Sequence, residues 1–166
     1  MREIKGYVCI ASAPLRENRR FEYLYGRNSL AGGRSYGSFL DGGLLTFGSC
    51  NEAEKAARDI VLMVPEFNRA QAAHLQMKIA DTEEEAERLF KKSRNLAVMV
   101  VMDHSHKLYG ENIGGNLMTT FSGAYDLSLN GFRPFTSYGR AVDVARDARR
   151  QSECPAYVVS LQMRRV

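Results

Sequence analysis

The feature that most constrains this chain is a five-residue segment that occurs twice. Leu24-Tyr25-Gly26-Arg27-Asn28 returns as Leu108-Tyr109-Gly110-Glu111-Asn112 with one change, and a glycine pair follows each copy. More matches follow in the same order: Tyr36 with Tyr125, Phe47 and Ser49 with Phe135 and Ser137, Ala53 and Ala57-Arg58-Asp59 with Ala141 and Ala145-Arg146-Asp147, and Leu75-Gln76-Met77-Lys78 with Leu161-Gln162-Met163-Arg164. Matches in a fixed order are typical of a duplicated unit. We therefore predict two copies of one fold.

The first copy begins with two predicted hairpins. Residues 7–11 are mostly apolar, which indicates a buried strand, and residues 21–25 can return beside it. Gly26 ends that second strand, because glycine tolerates left-handed backbone. Residues 36–40 and 44–47 flank Asp41-Gly42, a dipeptide that two-residue hairpin turns favour. They predict the second hairpin.

A helix and a closing strand complete the first copy. Ser49 stands three residues before Glu52, the spacing at which a hydroxyl and a carboxylate cap the start of a helix. Alanines and aliphatic residues then recur at helical spacing, which predicts a helix over 51–63 that Pro65 ends. Residues 73, 75, 77 and 79 are apolar and alternate with polar residues, which predicts a strand with one buried face.

Between the two copies lies a predicted connector helix. Thr82 and Glu85 repeat the capping signal, and an apolar stripe extends the helix to about residue 93. Residues 96–102 form a continuous apolar run, typical of a strand covered on both faces. The predicted class is α+β, with repeats over 1–80 and 96–166 and the connector over 81–95. Each repeat would be an antiparallel sheet of two hairpins and a closing strand, with one helix packed on it.

The pattern resembles short domains that are common in phage and mobile-element proteomes. In those domains a first strand, a Tyr-Leu-x-Gly-like return and a Phe-x-Ser-x-x-x-Ala helix start precede a final strand. Here Phe47, Ser49 and Ala53 carry the helix start in the first half, and Phe135, Ser137 and Ala141 carry it in the second. The resemblance implies a scaffold and no activity.

Composition narrows the class of protein. The 166 residues are 45% hydrophobic and 25% charged, as in globular proteins, and the longest apolar run is too short to cross a bilayer. We expect a cytoplasmic protein that does not bind a membrane. Cys9, Cys50 and Cys154 are widely spaced, which favours free thiols over a disulfide framework or a zinc ribbon. No cofactor motif is present, and we expect no cofactor.

The clearest candidate surface is basic. Arg140, Arg146, Arg149 and Arg150 lie off the apolar stripe of the second repeat's helix and so share its outer side. The net charge is +4. With these arginines we group Arg16, Arg19, Arg20, Arg164 and Arg165. Such a patch would suit a protein partner with an acidic surface or a nucleic acid, although Asp143 and Asp147 dilute it and a solvated face explains it equally.

Two other groups of residues are candidate sites. Tyrosines and asparagines could build two equivalent ligand sites, or they could simply end strands and form turns. These residues are Tyr25, Asn28, Tyr36, Tyr109, Asn112 and Tyr125. In Asp103-His104-Ser105-His106, the spacing of His104 and His106 could direct both rings to one side and bind a metal, although solvated loop histidines explain it too.

These observations favour a small binding protein that is not an enzyme and acts by occupying a partner. Given the resemblance, the specific form would be an inhibitor or modulator of a host nucleic-acid-handling complex. One alternative is a protein that binds nucleic acid directly. Another is a metal-dependent hydrolase that uses the loop containing His104 and His106.

Overall fold

The computed structural model describes residues 1–14, 20–27, 36–38, 46–102, 106–111, 121–126 and 133–166. These residues form eight β-strands and three α-helices, which confirms the α+β class. The strands are β1 (Arg2–Pro14), β2 (Arg20–Arg27), β3 (Tyr36–Ser38), β4 (Arg69–Ile79), β5 (Leu96–Val101), β6 (His106–Gly110), β7 (Tyr125–Asp126) and β8 (Ala156–Arg165). The helices are α1 (Cys50–Met63), α2 (Glu83–Phe90) and α3 (Tyr138–Ser152), and Phe121–Gly123 forms a 3-10 turn.

All eight strands belong to one antiparallel sheet. Its order is β3-β2-β1-β4-β8-β5-β6-β7, so the expectation of a separate sheet in each half is wrong. The two halves meet where β4 pairs with β8 along Ala73–Ile79, a contact that we call the seam. Pairing at the seam satisfies the N–H and C=O groups that each closing strand would otherwise leave open at a sheet edge.

The strand order reads the same from both edges of the sheet. From one edge it is β3-β2-β1-β4, and from the other it is β7-β6-β5-β8. Cys9 of β1 lies opposite Tyr25 of β2, as Val98 of β5 lies opposite Tyr109 of β6. At the centre of the seam the opposed pairs are Leu75 with Met163, Gln76 with Gln162 and Met77 with Leu161. The segments around Tyr25 and Tyr109, and those around Gln76 and Gln162, therefore occupy matching places in the sheet.

The register corrects one of the sequence matches. Gly26 lies opposite Gly37, whereas Gly110 lies opposite Tyr125. Tyr125 therefore corresponds in register to Gly37 and not to Tyr36. Spacing to a downstream turn cannot fix register in strands as short as β3 and β7, because a shift of one residue changes every opposed pair.

The sequence predicts a hairpin in which 44–47 returns beside 36–40. The predicted turn lies within residues 39–45, outside the described residues, and β3 pairs with β2. Phe47 pairs with Tyr7, exchanging N–H···O bonds of 3.2 and 2.7 Å. Because β2 pairs with β1 only from Cys9 onward, Tyr7 has backbone groups left for Phe47. Phe135 bridges Leu96 in the second half in the same way.

The predicted helix starts are confirmed. Ser49 Oγ accepts from the Glu52 amide at 3.2 Å, and Thr82 Oγ1 accepts from the Glu85 amide at 3.1 Å. Both glutamates reach back to an amide before the cap, Glu52 to Gly48 and Glu85 to Asp81. These contacts satisfy amides that have no partner inside the helix.

The helix ends differ in how well the sequence predicts them. α1 ends at Met63, just before the predicted stop, because Pro65 disfavours helix at the residue before it. α2 ends at Phe90 and not near residue 93. The amide of Ser93 bonds to the carbonyl of Phe90 at 2.9 Å, which closes a turn and redirects the chain into β5.

The helices cover one face of the sheet at its two ends. α1 packs on Cys9, Ala11 and Ala72, while α2 and α3 pack over the alternate residues of β5 and the start of β8. The opposite face is also apolar and buried, with its centre at Leu75, Met77, Met99, Val159 and Leu161. β5 is therefore buried on both faces, as its continuous apolar run predicted. No helix of the described residues is long and apolar enough to cross a membrane.

Two glycine substitutions should change stability in opposite directions. Gly139→Ala should raise the free energy of unfolding by about 0.5 kcal/mol, because Gly139 lies in the first turn of α3 and an added Cβ would meet only Ser137 Oγ, at 3.8 Å. Gly123→Ala should lower it by about 1 kcal/mol, because Gly123 has a φ of +77°. Urea denaturation of both variants measures the difference, and a shift of the same sign in both would contradict it.

Candidate functional site

The structure places two of the predicted arginines against a carboxylate of α2. Glu83 Oε1 accepts from Arg146 Nε at 3.0 Å and from Arg149 Nη2 at 2.7 Å, and Glu83 Oε2 accepts from Arg146 Nη2 at 3.0 Å. Hydrogen bonds from Arg146 are the chief reason that the pKa of Glu83 lies below its ordinary value. These contacts hold α2 to α3, together with a bond of 3.3 Å from the Tyr138 hydroxyl to the Glu83 carbonyl.

The other two arginines of α3 also contact their own chain. Arg150 Nη2 lies 2.5 Å from Asp147 Oδ1, one turn away on the same helix. Arg140 Nη2 lies 3.2 Å from Glu111 Oε1, and its Nη1 donates to the Ser122 carbonyl at 2.6 Å. Arg140 therefore ties the start of α3 to the end of β6 and to the 3-10 turn. Partner binding by these four arginines stays a prediction.

Several predicted site residues fall outside the described part of the chain or have only their backbone described. Arg16, Arg19, Asn28, His104 and Asn112 lie outside the described residues. The backbone of Arg20 lies in β2, that of Tyr36 in β3 and that of Tyr125 in β7. The roles predicted for all eight remain predictions.

The two tyrosines of the repeated segment pack against phenylalanines. The Tyr25 ring meets Phe67 edge to face at 5.6 Å between centroids, and the Tyr109 ring meets Phe121 in the same way at 5.0 Å. Tyr109 is only 4% exposed, and Tyr25 is half-buried. Packing accounts for the burial of both rings, and their role toward a ligand stays a prediction.

His106 is the described member of the histidine pair. It lies in β6 opposite Val101, and its Nδ1 is buried without a hydrogen bond to any other described residue. The described residues bring together no group of three or more His, Cys, Asp or Glu side chains that could hold a metal ion. A metal site built on His104 and His106 remains a prediction.

The cysteines near α1 are poor nucleophiles. Burial raises the pKa of Cys9 to about 12, and its thiol donates to the Ala53 carbonyl at 2.9 Å. Cys50 begins α1, but desolvation and the nearby Glu54 carboxylate raise its pKa. Both groups therefore stay protonated near neutral pH, as packed thiols do.

Sequence reasoning missed a polar surface at the centre of the sheet, which we call the central strip. It lies on the helix-bearing face, between α1 at one end and α2 and α3 at the other. Its side chains lie on one face of β1, β4 and β8, alternate in β4 with buried apolar ones, and are each exposed or half-buried. The residues of the central strip are Glu3, Lys5, Tyr7, His74, Gln76, Lys78, Ser160, Gln162 and Arg164.

The central strip is positively charged and rich in hydrogen-bonding groups. Lys5, Lys78 and Arg164 outnumber Glu3, its one carboxylate. Gln76 donates a hydrogen bond to Glu3, and Lys5 Nζ lies 3.7 Å from Glu3 Oε1. The Gln76 bond is the main reason that the pKa of Glu3 lies below its ordinary value. Glu3 thus stays anionic and engaged near neutral pH.

Two rings add an apolar contact to the central strip. Tyr7 and His74 lie opposite each other in β1 and β4 and meet edge to face, with centroids 5.4 Å apart. His74 in turn lies opposite Arg164 in β8. The central strip can therefore offer cations, amides and ring edges to one extended ligand.

A small cavity lies between α2, α3 and β8. Its volume is about 180 Å³, and its walls include Ala86, Val142, Ala145 and Val158. Tyr138 and Arg149 also line it. The cavity is mostly apolar, and α2 forms one of its sides.

The residues of the central strip carry a sequence signal, the alternation of polar and apolar residues in β4 and β8. What the sequence does not give is that these two strands are neighbours. The arrangement suits binding through charge and hydrogen bonds, because it places cations and amides on a rigid floor between helices. Comparison with protein-family models, with curated proteins and with solved structures finds no match for this chain.

Proposed function

We propose that this chain is a binding protein, not an enzyme, and that the central strip holds an extended acidic segment of a partner protein. The observation that carries the proposal is that Arg164 is exposed, and Lys78 and Gln76 are half-buried, on the two middle strands of the sheet. An antiparallel sheet can keep part of a face in contact with solvent, and here that part lies between α1 at one end and α2 and α3 at the other.

The charge of the central strip supports an acidic partner. Its three cations attract an anionic segment, the one carboxylate is already engaged, and Gln76 and Gln162 can bond to the backbone of the segment. The flanking helices favour an extended segment over a broad globular surface. An inhibitor or modulator of a host nucleic-acid-handling complex is the specific form that the predicted resemblance adds to this proposal.

Reversing the charge of the central strip should weaken binding of an acidic peptide. The full chain should bind a short fluorescent glutamate-rich peptide, and Lys78→Glu combined with Arg164→Glu should raise the Kd at least about tenfold, or about 1.4 kcal/mol. The two substitutions replace cations that attract the peptide's carboxylates by carboxylates that repel them. Fluorescence anisotropy at low and moderate salt measures the change.

The matched control is Lys55→Glu combined with Arg58→Glu. Both residues are exposed on α1, so the net charge changes equally without touching the central strip. We expect this control to change the Kd less than about twofold, within the range of distant surface charges. An equal loss in both variants would mean that net charge alone attracts the peptide, and the proposal would be wrong.

Direct binding of nucleic acid is the second candidate, favoured by the Tyr7–His74 ring pair beside Arg164. Rings next to cations suit the stacked bases and phosphates of a single strand. Repeating the titration with single-stranded oligodeoxythymidine separates the two candidates. Tighter binding of the oligonucleotide than of the peptide, with a steep salt dependence, would favour nucleic acid.

We also propose that the two halves descend from one copied unit. The mirrored strand order, the matching registers and the equivalent bridges of Phe47 and Phe135 support this proposal. Gln76 and Gln162 would then lie on the axis that relates the halves, with Lys78 and Arg164 at equivalent places. The central strip would be the surface that the two copies create together.

A further inference from the structure

Two arginines of α3 hold a carboxylate of α2 beside the cavity between α2, α3 and β8. The carboxylate of Glu83 fits between Arg146 and Arg149 and uses three donors of the two guanidinium groups. Arg146 presents its Nε and Nη2 together, the planar edge with which arginine binds carboxylate and phosphate oxygens. The ligand of this pair is at present a side chain of the same protein.

One arginine of the pair, Arg149, is positioned by a contact that does not involve Glu83. Arg149 Nη1 donates to the Ala156 carbonyl at 2.8 Å, which fixes its guanidinium against the start of β8. Both arginines rise from α3, whose other face is buried through Val144, Ala145 and Ala148. The Arg149 guanidinium would therefore keep its place if Glu83 left, with Arg146 one turn away on the same helix.

The site is also open to solvent. The side chains of Arg146 and Glu83 are 61% and 44% exposed. Exposed ion pairs contribute little to stability, because solvent screens them. A solution anion with stronger interactions can therefore displace Glu83 without unfolding α3.

We propose that Arg146 and Arg149 form a binding site for a phosphate monoester, and that Glu83 occupies this site until the phosphate displaces it. A carboxylate from solution would replace Glu83 by a group of the same charge and with the same number of acceptor oxygens. Glu83 would win that competition because it is covalently part of the chain. A phosphate monoester brings a charge near −2 and three acceptor oxygens, so it can satisfy both guanidinium groups and keep an acceptor to spare.

The test is a phosphate titration of the full chain and of Glu83→Gln. The substitution keeps the size of the side chain and removes its charge, so phosphate no longer competes with a carboxylate. We expect the Kd for inorganic phosphate to fall about fivefold, the factor expected for loss of two exposed ion pairs. Side-chain Nε–H resonances of Arg146 and Arg149 in isotope-labelled protein should move in both proteins.

Glu84→Gln is the matched control, because it makes the same change of net charge one residue away, on an exposed side chain of α2. Arg146→Ala combined with Arg149→Ala should remove phosphate binding. If Glu84→Gln tightens binding as much as Glu83→Gln, the effect is one of net charge and the proposal is wrong. If phosphate moves neither arginine resonance in the wild-type chain nor in Glu83→Gln, the site does not exist.

A second titration identifies the source of the phosphate. O-phosphoserine and adenosine 5′-monophosphate carry the same group on different bodies. Equal Kd values support a site for the phosphate alone, and a preference assigns it to a modified protein or to a nucleotide. Circular dichroism checks that α2 remains helical in Glu83→Gln; if it does not, the wild-type titration decides. Because no residue of the central strip is changed, failure here leaves the acidic-peptide test unaffected.

Discussion

Replacing Phe135 by alanine should lower the free energy of unfolding by about 3–5 kcal/mol. Phe135 is the largest fully buried side chain among the described residues, at 0% exposure. Its backbone exchanges N–H···O bonds of 3.0 and 2.6 Å with Leu96, and the Arg140 guanidinium lies 5.6 Å from its ring centroid. The substitution would leave a cavity between α3 and β5 that the rigid sheet cannot close. Urea denaturation measures the loss.

Phe135→Leu distinguishes the contribution of the aromatic ring from that of the volume the side chain fills. Leucine fills most of the space, so we expect a loss of about 1–1.5 kcal/mol, with the backbone bridge to Leu96 kept. Phe47→Ala tests the equivalent place in the first half, where Phe47 is 4% exposed. If Phe135→Ala costs less than about 1 kcal/mol, the cluster around Phe135 repacks freely and the expectation is wrong.

Gly6→Ala should lower the free energy of unfolding by at least about 1–3 kcal/mol. A Cβ at Gly6 would fall on the side chain of Thr46, against Oγ1, Cβ and Cγ2. The contact cannot be relieved by a rotamer change, because it includes the Thr46 Cβ. Gly6 lies inside β1, opposite Leu75 of β4, and the bridge between Tyr7 and Phe47 holds the Thr46 segment against β1. Thermal and urea denaturation measure the effect.

Gly48→Ala is the matched control for Gly6→Ala. A Cβ there meets only Glu52 Oε2, at 3.8 Å, an ordinary contact, so stability should change by less than about 0.5 kcal/mol. Adding Thr46→Gly to Gly6→Ala should recover stability, because it removes the atoms that clash. A double variant no more stable than Gly6→Ala would show that some other effect of the added methyl group is responsible.

Local signals were sufficient for the helices and for the faces of the strands. Ser49 with Glu52 and Thr82 with Glu85 predicted two helix starts, because capping depends on residues three positions apart. The alternation in β4 predicted that Leu75 and Met77 are buried, because side chains of a strand alternate between its faces. These features depend on near neighbours in the chain.

The arrangement of the strands could not be predicted in this way. The seam pairs Ile79 with Val159 across 80 positions of chain, and no local pattern states which strand lies beside which. For the same reason the sequence showed His74, Gln76 and Lys78 only as the outer side of one strand. Only the pairing of β4 with β8 turns them into part of a continuous surface with Gln162 and Arg164.

The contacts of the arginines could not be predicted from the sequence either. Helical spacing predicted only that Arg146 and Arg149 lie off the buried stripe of α3, which Val144, Ala145 and Ala148 form. Their partner, Glu83, lies more than 60 positions earlier, in the helix that the sequence predicts only as a connector. Charge patterning along α3 could identify Arg150 with Asp147, one turn apart, but not a carboxylate supplied by another helix.

The formation of the seam also limits the rate at which this chain can fold. Its pairs are among the most distant in the sequence, so their formation must close loops as long as half of the chain, a step that slows folding. Until it is complete, β4 and β8 each present an unsatisfied edge. A second chain at an early stage of folding offers the same edge, and exchange of these strands between two molecules competes with the correct closure.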